Sequence, residues 1–241
     1  MKTFKLFLMI IGISLGSVFF YSCLDDDDSY SLDDFWIEIV TVVPIDETTY
    51  YLRMDDGTTL WPAATNVPFY KPKENQRALV NFTVLSDSVK GYDYDHWVKV
   101  NRIDEVLTKN IAEDQGSKND SIYGIDPVEI AGIWIGDNYL NVYFKTYFGG
   151  TEKHFINLIP SSDKNAMFEF RHNAYDDPKS FNQGGFVAFN LKSINTIIEN
   201  SSITVKVKTY EGDKIYEVKF APLTKGNINK DETDVFYEGL K

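Results

Sequence analysis

The chain has a single cysteine, Cys23, so no intramolecular disulfide can staple it. Basic residues are scarce as well: 24 Lys and Arg stand against 36 Asp and Glu, a formal net charge of −12. That deficit excludes a phosphate-backbone binder, whose affinity comes from clustered Lys and Arg that release counterions. No apolar run reaches the roughly 20 residues that a membrane-spanning helix needs. The longest, Leu6 to Phe20, has 15 residues and is interrupted by Gly12, Ser14, Gly16 and Ser17. There is no GxSxG elbow, HExxH pair, Walker loop, cysteine pair or Gly-rich strand-to-helix turn. An enzyme is therefore not expected, and neither a cofactor nor a metal site is implied.

What is present begins with an address. Lys2 and Lys5 precede the apolar run, and Ser22 supplies a small residue before Cys23. Residues 1–22 thus read as a removable signal peptide, which leaves Cys23 as the first residue of the mature chain. Phe20-Tyr21-Ser22-Cys23 resembles a bacterial lipobox, although most lipoboxes carry Leu where Phe20 stands and a small or β-branched residue at Tyr21. The resemblance implies acylation of the Cys23 thiol and attachment to a membrane. Each buried methylene contributes about 0.8 kcal/mol, and more than one chain is needed for a stable anchor.

Residues 23–34 form the lipidated cysteine and an acidic tether with six carboxylates, Asp25, Asp26, Asp27, Asp28, Asp33 and Asp34. Like charges extend such a segment and keep it off an anionic membrane surface. Acidic residues directly after the acylated cysteine resemble the signal that sends Bacteroidota lipoproteins to the outer face of the outer membrane. A lipid-anchored, surface-facing outer-membrane location follows from that resemblance. Loss of Lys2 and Lys5 takes the net charge from −12 to −14.

Aromatic residues make up 15% of the chain, and Tyr, Phe, Val, Ile and Thr dominate its apolar positions. Strands are favoured over helices, and the fold class expected is all-β. Five strands are predicted at Phe35 to Val43, Thr49 to Met54, Thr58 to Trp61, Ala78 to Leu85 and His96 to Leu107. Asp55-Asp56-Gly57 supplies a hairpin turn and Pro62 stops the third strand. This set suits a small OB-like barrel over 35–110. The polar stretch 111–126 is expected to be a linker, and 127–241 an antiparallel β-sandwich. Sandwich strands are predicted at Tyr139 to Phe148, Lys153 to Ile159, Met167 to Ala174, Gly185 to Leu191, Ile203 to Tyr210 and Lys214 to Phe220. The one helix expected is Ser193 to Glu199, and Val235 to Tyr237 is read as a closing strand.

The order of export segment, lipidated cysteine, barrel and sandwich resembles the NigD-like proteins of Bacteroidota. The resemblance is carried by Asp56-Gly57-Thr58-Thr59-Leu60-Trp61-Pro62, Tyr139-Leu140-Asn141, His154-Phe155-Ile156-Asn157-Leu158 and Phe168-Glu169-Phe170-Arg171-His172-Asn173. It implies an N-terminal OB-like domain, a C-terminal β-sandwich and an association with bacteriocin immunity.

Binding is the function class that the residues favour. Tyr139, Tyr143 and Tyr147 alternate with core positions along one strand, with Asn141 and Lys145 between them. If Leu140, Val142 and Phe144 face the core, this tyrosine row is exposed and suits contact with an envelope protein or, alternatively, a glycan. Trp61, Phe69, Tyr70, Tyr92, Tyr94 and Trp97 cluster around the barrel's loops. Asp93-Tyr94-Asp95-His96 reads as a charged turn ahead of a strand. His154 reads as a core histidine, and Arg171-His172-Asn173 as a group that fixes the following loop. Asp87-Ser88-Val89 and Asp120-Ser121-Ile122 resemble the Bacteroidota O-glycosylation pattern, with Ser88 and Ser121 as acceptors. Substituting Cys23→Ala is expected to release the protein from membranes and abolish acyl labelling; labelling that persists in this variant would contradict the anchor.

Overall fold

The computed structural model of the chain describes residues 31–32, 34–192 and 202–220. Cys23, most of the tether, the helix expected at Ser193 to Glu199 and the strand expected at Val235 to Tyr237 lie outside the described residues. Among the described residues, no helix is long and apolar enough to cross a membrane.

Alternation of β-branched and polar residues builds the first five strands. They are β1 (Trp36–Pro44), β2 (Tyr50–Arg53), β3 (Thr59–Thr65), β4 (Gln76–Asp87) and β5 (His96–Glu105). They close into a barrel in the order β1-β2-β3-β5-β4, with β3 and β5 parallel. Val40, Val42, Leu52, Leu60, Val80, Phe82, Val84, Val98 and Val100 point inward and are buried. Gly57 turns the β2–β3 hairpin at φ 88°, a left-handed conformation that glycine adopts without steric cost. Pro62 does not stop β3. The strand continues to Thr65, and its register with β5 shifts between Pro62 and Ala64. A bulge is one of the few places where a sheet tolerates proline, because no ladder N–H is needed there.

The chain passes from barrel to sandwich at Val106. Eight strands follow: β6 (Leu107–Asn110), β7 (Glu129–Gly136), β8 (Tyr139–Phe148), β9 (Phe155–Pro160), β10 (Phe168–Asn173), β11 (Phe181–Asn190), β12 (Ser202–Thr209) and β13 (Gly212–Lys219). They form two four-stranded sheets in the orders β13-β12-β10-β9 and β6-β11-β8-β7. The pairs β6/β11 and β10/β12 are parallel. Residues 107–110, expected at the end of the barrel domain, are therefore a sandwich strand. Residues 111–126, expected as a linker, include a short helix, α1 (Asn119–Tyr123), that packs on β9 and β10. Tyr123 is buried there, stacked on Phe155 with its hydroxyl donating to the Glu113 carbonyl.

Barrel and sandwich fall within one compact unit, and the contact between them is built from both apolar and charged groups. Ile39, Val106, Tyr139 and Ala188 form a buried cluster, flanked by Leu79, Trp134 and Phe186. Over it lies Arg77, which is fully buried. Its guanidinium donates to Thr41 Oγ1 at 3.0 Å, to the Ile39 carbonyl at 3.2 Å and to the Asp55 carboxylate, and sits 5.3 Å above the Tyr139 ring. Asp55 also accepts from the Trp134 indole at 2.7 Å. On the same side Asp137, in the two-residue β7–β8 turn, accepts from Arg53 Nε and Nη2, both at 2.9 Å, and from Thr41 Oγ1. Asp137 and Asn138 have φ 45° and 65°, the pair of positive values that such a hairpin turn requires.

Gly136 leaves room for this arrangement, because a methyl group there would overlap the Asp55 carboxyl. Removing one partner of a buried ion pair strands the other charge and costs about 3 kcal/mol or more. Arg77→Met is therefore expected to lower folding stability by about that amount, measured by urea unfolding, and Gly136→Ala to lower it through the same contact. Wild-type stability in both variants would contradict this account of the interface.

Candidate functional site: the aromatic face of the barrel

The β-register of the barrel brings together aromatic residues that are far apart in sequence. Trp61 of β3 stands opposite Trp97 of β5, and Leu52 of β2 opposite Leu60 of β3, so Tyr51 falls next to Trp61 one strand over. Because Leu52, Leu60 and Val98 point into the barrel, Tyr51, Trp61 and Trp97 point out of it by the period-2 rule. The β4–β5 loop then lays two more rings on this row. Tyr94 stacks on Trp61 with centroids 4.9 Å apart and tilts against Tyr51 at 5.6 Å. Tyr92 meets Trp97 edge-on at 5.3 Å, and the two tryptophans are 6.4 Å apart. All five rings form one connected array, half-buried except for Tyr92, which is 58% exposed.

The loop that carries Tyr92 and Tyr94 is pinned at its end. Asp95 Oδ2 accepts from Thr59 N and Oγ1, both at 2.8 Å, and its own N–H donates to the Thr59 carbonyl at 3.0 Å. His96 Nδ1 lies 3.1 Å from Asp87 Oδ1. The Asp93 to His96 cluster is thus a charged turn before a strand, with Asp95 as its fastener. Of the loop aromatics singled out from sequence, Trp61, Tyr92, Tyr94 and Trp97 do converge. Tyr70 instead packs edge-on against Tyr50, at the border of the barrel core, and Phe69 projects almost wholly into solvent. Tyr51 was not singled out; only the cross-strand register reveals it.

The tyrosine row of β8 is not an exposed face. Leu140, Val142 and Phe144 do face the core between the sheets, but the barrel covers the opposite face at its near end. Tyr139 and Asn141 are buried, Tyr139 beneath Arg77 and with its hydroxyl donating to the Asn75 carbonyl at 3.3 Å. Tyr143 is half-buried and stacked on Phe186 at 4.6 Å, and Lys145 is half-buried. Of the five, Tyr147 alone is exposed, edge-on against Tyr210. A row requiring all five residues at the surface is excluded by this burial. Ser88 and Ser121, the two acceptor positions of the glycosylation-like triplets, are exposed.

Family models describe both halves: a NigD-like N-terminal OB domain over 39–106 and a NigD-like C-terminal beta sandwich domain over 110–220. The chain belongs to the NigD-like family. Among solved structures it is similar to a toxin-related protein of Parabacteroides distasonis, at 48% identity with a TM-score of 0.68, over 84% of this chain and 98% of that one. A Bacteroides vulgatus protein of unknown function matches at 25% identity and TM-score 0.67, over 83% and 99%. A NigD-like immunity protein of Bacteroides caccae shares the fold at 20% identity and TM-score 0.59, over 78% and 93%. No functionally curated protein matches by sequence.

Two further polar clusters in this NigD-like protein are accounted for by its fold. A depression of about 250 Å³ is lined in part by Asp120, Glu169, Arg171, Lys206, Lys208 and Asp213. Its charges are joined in mutual pairs, Arg171 with Asp120 and Glu169, and Lys206 and Lys208 with Asp213. The second cluster is a buried line of three side chains. Asp177 Oδ2 lies 3.2 Å from His154 Nε2, and His154 Nδ1 lies 2.9 Å from His172 Nε2. Asp177 also gathers the β8–β9 loop, accepting from the N–H groups of Gly149, Gly150, Thr151 and Glu152 and from the Thr151 hydroxyl. The Thr151 hydroxyl, and after it the Gly149 N–H, hold the Asp177 carboxyl well below the usual carboxylate range. Both imidazoles are buried, His154 stacked on Phe148 at 4.2 Å, so the expectation of a core histidine describes His154 and extends to His172.

Burial, then the positive field of His154, push His172 down from 6.5 to about 4. The unfolded chain takes up this proton near pH 6.5 while the folded chain does so only near pH 4, so stability is complete above the first value and is lost between them. The loss amounts to about 3 kcal/mol. Urea unfolding is expected to show that slope between pH 6.5 and 4 and to lose it in His172→Gln; an unchanged slope in that variant would contradict the assignment.

Proposed function

We propose that this protein is a non-enzymatic lipoprotein, held by Cys23 at the outer face of the bacterial outer membrane, that works by binding a protein partner. The observation that carries the reading is the five-ring array of Tyr51, Trp61, Tyr92, Tyr94 and Trp97 on the outside of the barrel. Tryptophan and tyrosine are the residues over-represented among the few that dominate protein–protein affinity, because each combines a large apolar area with a polar tip and few rotatable bonds. Here the rings are pre-arranged by strand register, which lowers the entropy lost on binding. An extended acidic tether would hold the array away from the lipid surface. The similarity to a protein described as toxin-related, and the fold shared with one described as an immunity protein, agree with a role in an immunity-type complex.

One observation favours a glycan as a second reading. The array occupies the strand 2–3 face and the β4–β5 loop, where OB barrels bind oligosaccharides as well as oligonucleotides, and the acidity of the chain disfavours the latter.

Chemical crosslinking on intact cells separates the two readings. Wild-type protein is expected to capture a defined envelope protein, and Trp61→Ala with Trp97→Ala to weaken that capture by about thirtyfold or more in Kd, the consequence of losing about 2 kcal/mol of anchor contacts. Equal capture by the variant would contradict the reading. Row-dependent binding on a glycan array would replace it with the second.

A further inference from the structure

We infer that the aromatic face receives a cationic polypeptide segment, with Arg or Lys side chains of the partner seated on the rings. This rests on the reading of the array as a protein-binding face and adds the chemistry of what binds there.

The first observation is that the array has electron-rich rings of the kind that attract a cation, while the cation–ring contacts found among the described residues fall on other rings. Among the described residues, Arg77 and Lys192 lie over Tyr139 and Lys109 lies over Phe155. These contacts use Tyr139 and Phe155, and no such contact falls on Tyr51, Trp61, Tyr92, Tyr94 or Trp97. Tryptophan is the best acceptor for a cation, and tyrosine also serves.

The second observation is the charge around the array. The segments next to its rings carry Asp46 and Glu47 in the β1–β2 turn, Asp87 at the end of β4, and Asp93 and Asp95 in the loop beside Tyr92 and Tyr94. Against these five carboxylates stand Lys90 in the same loop, Lys99 on β5 and Arg53 on β2, the last paired with Asp137. Asp95 is engaged with Thr59, and Asp87 lies close to His96, but a carboxylate keeps its negative field when it accepts a hydrogen bond. A rim that is negative overall, around rings that favour positive charge, is complementary to Arg and Lys. Arg suits it best, since its planar guanidinium stacks on a ring face while its N–H groups reach carboxylates. The net charge of −14 on the mature chain, which is the −12 of the full sequence less the two positive charges of Lys2 and Lys5, steers such a partner inward from a distance. A neutral sugar would gain nothing from that rim's net charge, and a nucleic acid would be repelled by it.

The test uses the full-length lipoprotein in detergent micelles and three fluorescein-labelled probes: an octa-arginine peptide, a Gly-Ser peptide of the same length and a neutral oligosaccharide. Fluorescence anisotropy is expected to show saturable binding of the arginine peptide alone, weakening as salt is raised. Trp61→Ala with Trp97→Ala is expected to weaken it about tenfold, and Asp93→Lys to weaken it with the rings intact. The charge variant sits in the loop and keeps the test decisive if the tryptophan variant fails to fold, which its thermal melt would show. Three outcomes would overturn the inference. They are arginine-peptide binding insensitive to both variants, which marks nonspecific attraction to an acidic protein; binding of the oligosaccharide with the same dependence on the rings; and no binding of the arginine peptide at all. Row-dependent crosslinking of an envelope protein together with any of these leaves the protein-binding reading standing and removes only the cationic chemistry.

Discussion

The junction of the two domains is pinned by Asp137 of the sandwich, which accepts from Arg53 and Thr41 of the barrel beside the fully buried guanidinium of Arg77. An isolated guanidinium there would be prohibitive, and the barrel surrounds Arg77 with its own acceptors, the Asp55 carboxylate, the Thr41 hydroxyl and the Ile39 carbonyl, while the sandwich supplies the face of Tyr139. Trp134 of the sandwich donates to the same Asp55, and Asp137 reaches back to Arg53 and Thr41 of the barrel. Separating the domains would leave Asp137 without Arg53 and Asp55 without the Trp134 indole, and these directional contacts make the junction specific as well as adhesive. Apolar contact among Ile39, Val106, Tyr139 and Ala188 supplies the non-directional part.

That junction decides which surfaces are available for function. It consumes the near end of the β8 outer face, so Tyr139 and Asn141 serve the architecture rather than a ligand. It leaves the array on β2, β3, β5 and the β4–β5 loop half-buried, with Tyr92 reaching into solvent. In the sandwich, the Asp177–His154–His172 line ties the β8–β9 loop to the core. The buried polar side chains are thus committed to holding loops and domains, whereas the aromatic array lies on the outer face of the barrel, half-buried apart from Tyr92.

Much of the fold could be read from the residues alone, for physical reasons that differ from one element to the next. β1 announces itself as a nearly continuous apolar run rich in β-branched residues and β8 by its alternation, and Asp56-Gly57 marks its turn because few other residues accept that backbone. β7 was missed, since Gly132 interrupts its pattern and its register against β8 slips between Ile130 and Gly132; the Asp137-Asn138 turn after it was the available signal. β6 is not legible as a separate strand, because the expected strand His96 to Leu107 runs through the single buried valine, Val106, at which the chain changes sheet, and ends where β6 begins. The site was harder. Tyr51, Trp61 and Trp97 lie on three strands, and their meeting is a property of register that no local window contains. The tyrosine row failed for the converse reason: period 2 correctly assigns residues to a face, but it cannot say whether another domain covers that face.

If the charged junction makes barrel and sandwich one cooperative body, differential scanning calorimetry of the whole protein tests it most directly. The prediction is a single transition whose calorimetric and van't Hoff enthalpies agree, and which broadens or splits when Asp137, the sandwich carboxylate that binds Arg53 and Thr41 of the barrel, is replaced by Ala. Two separable transitions in the wild-type protein would contradict the account.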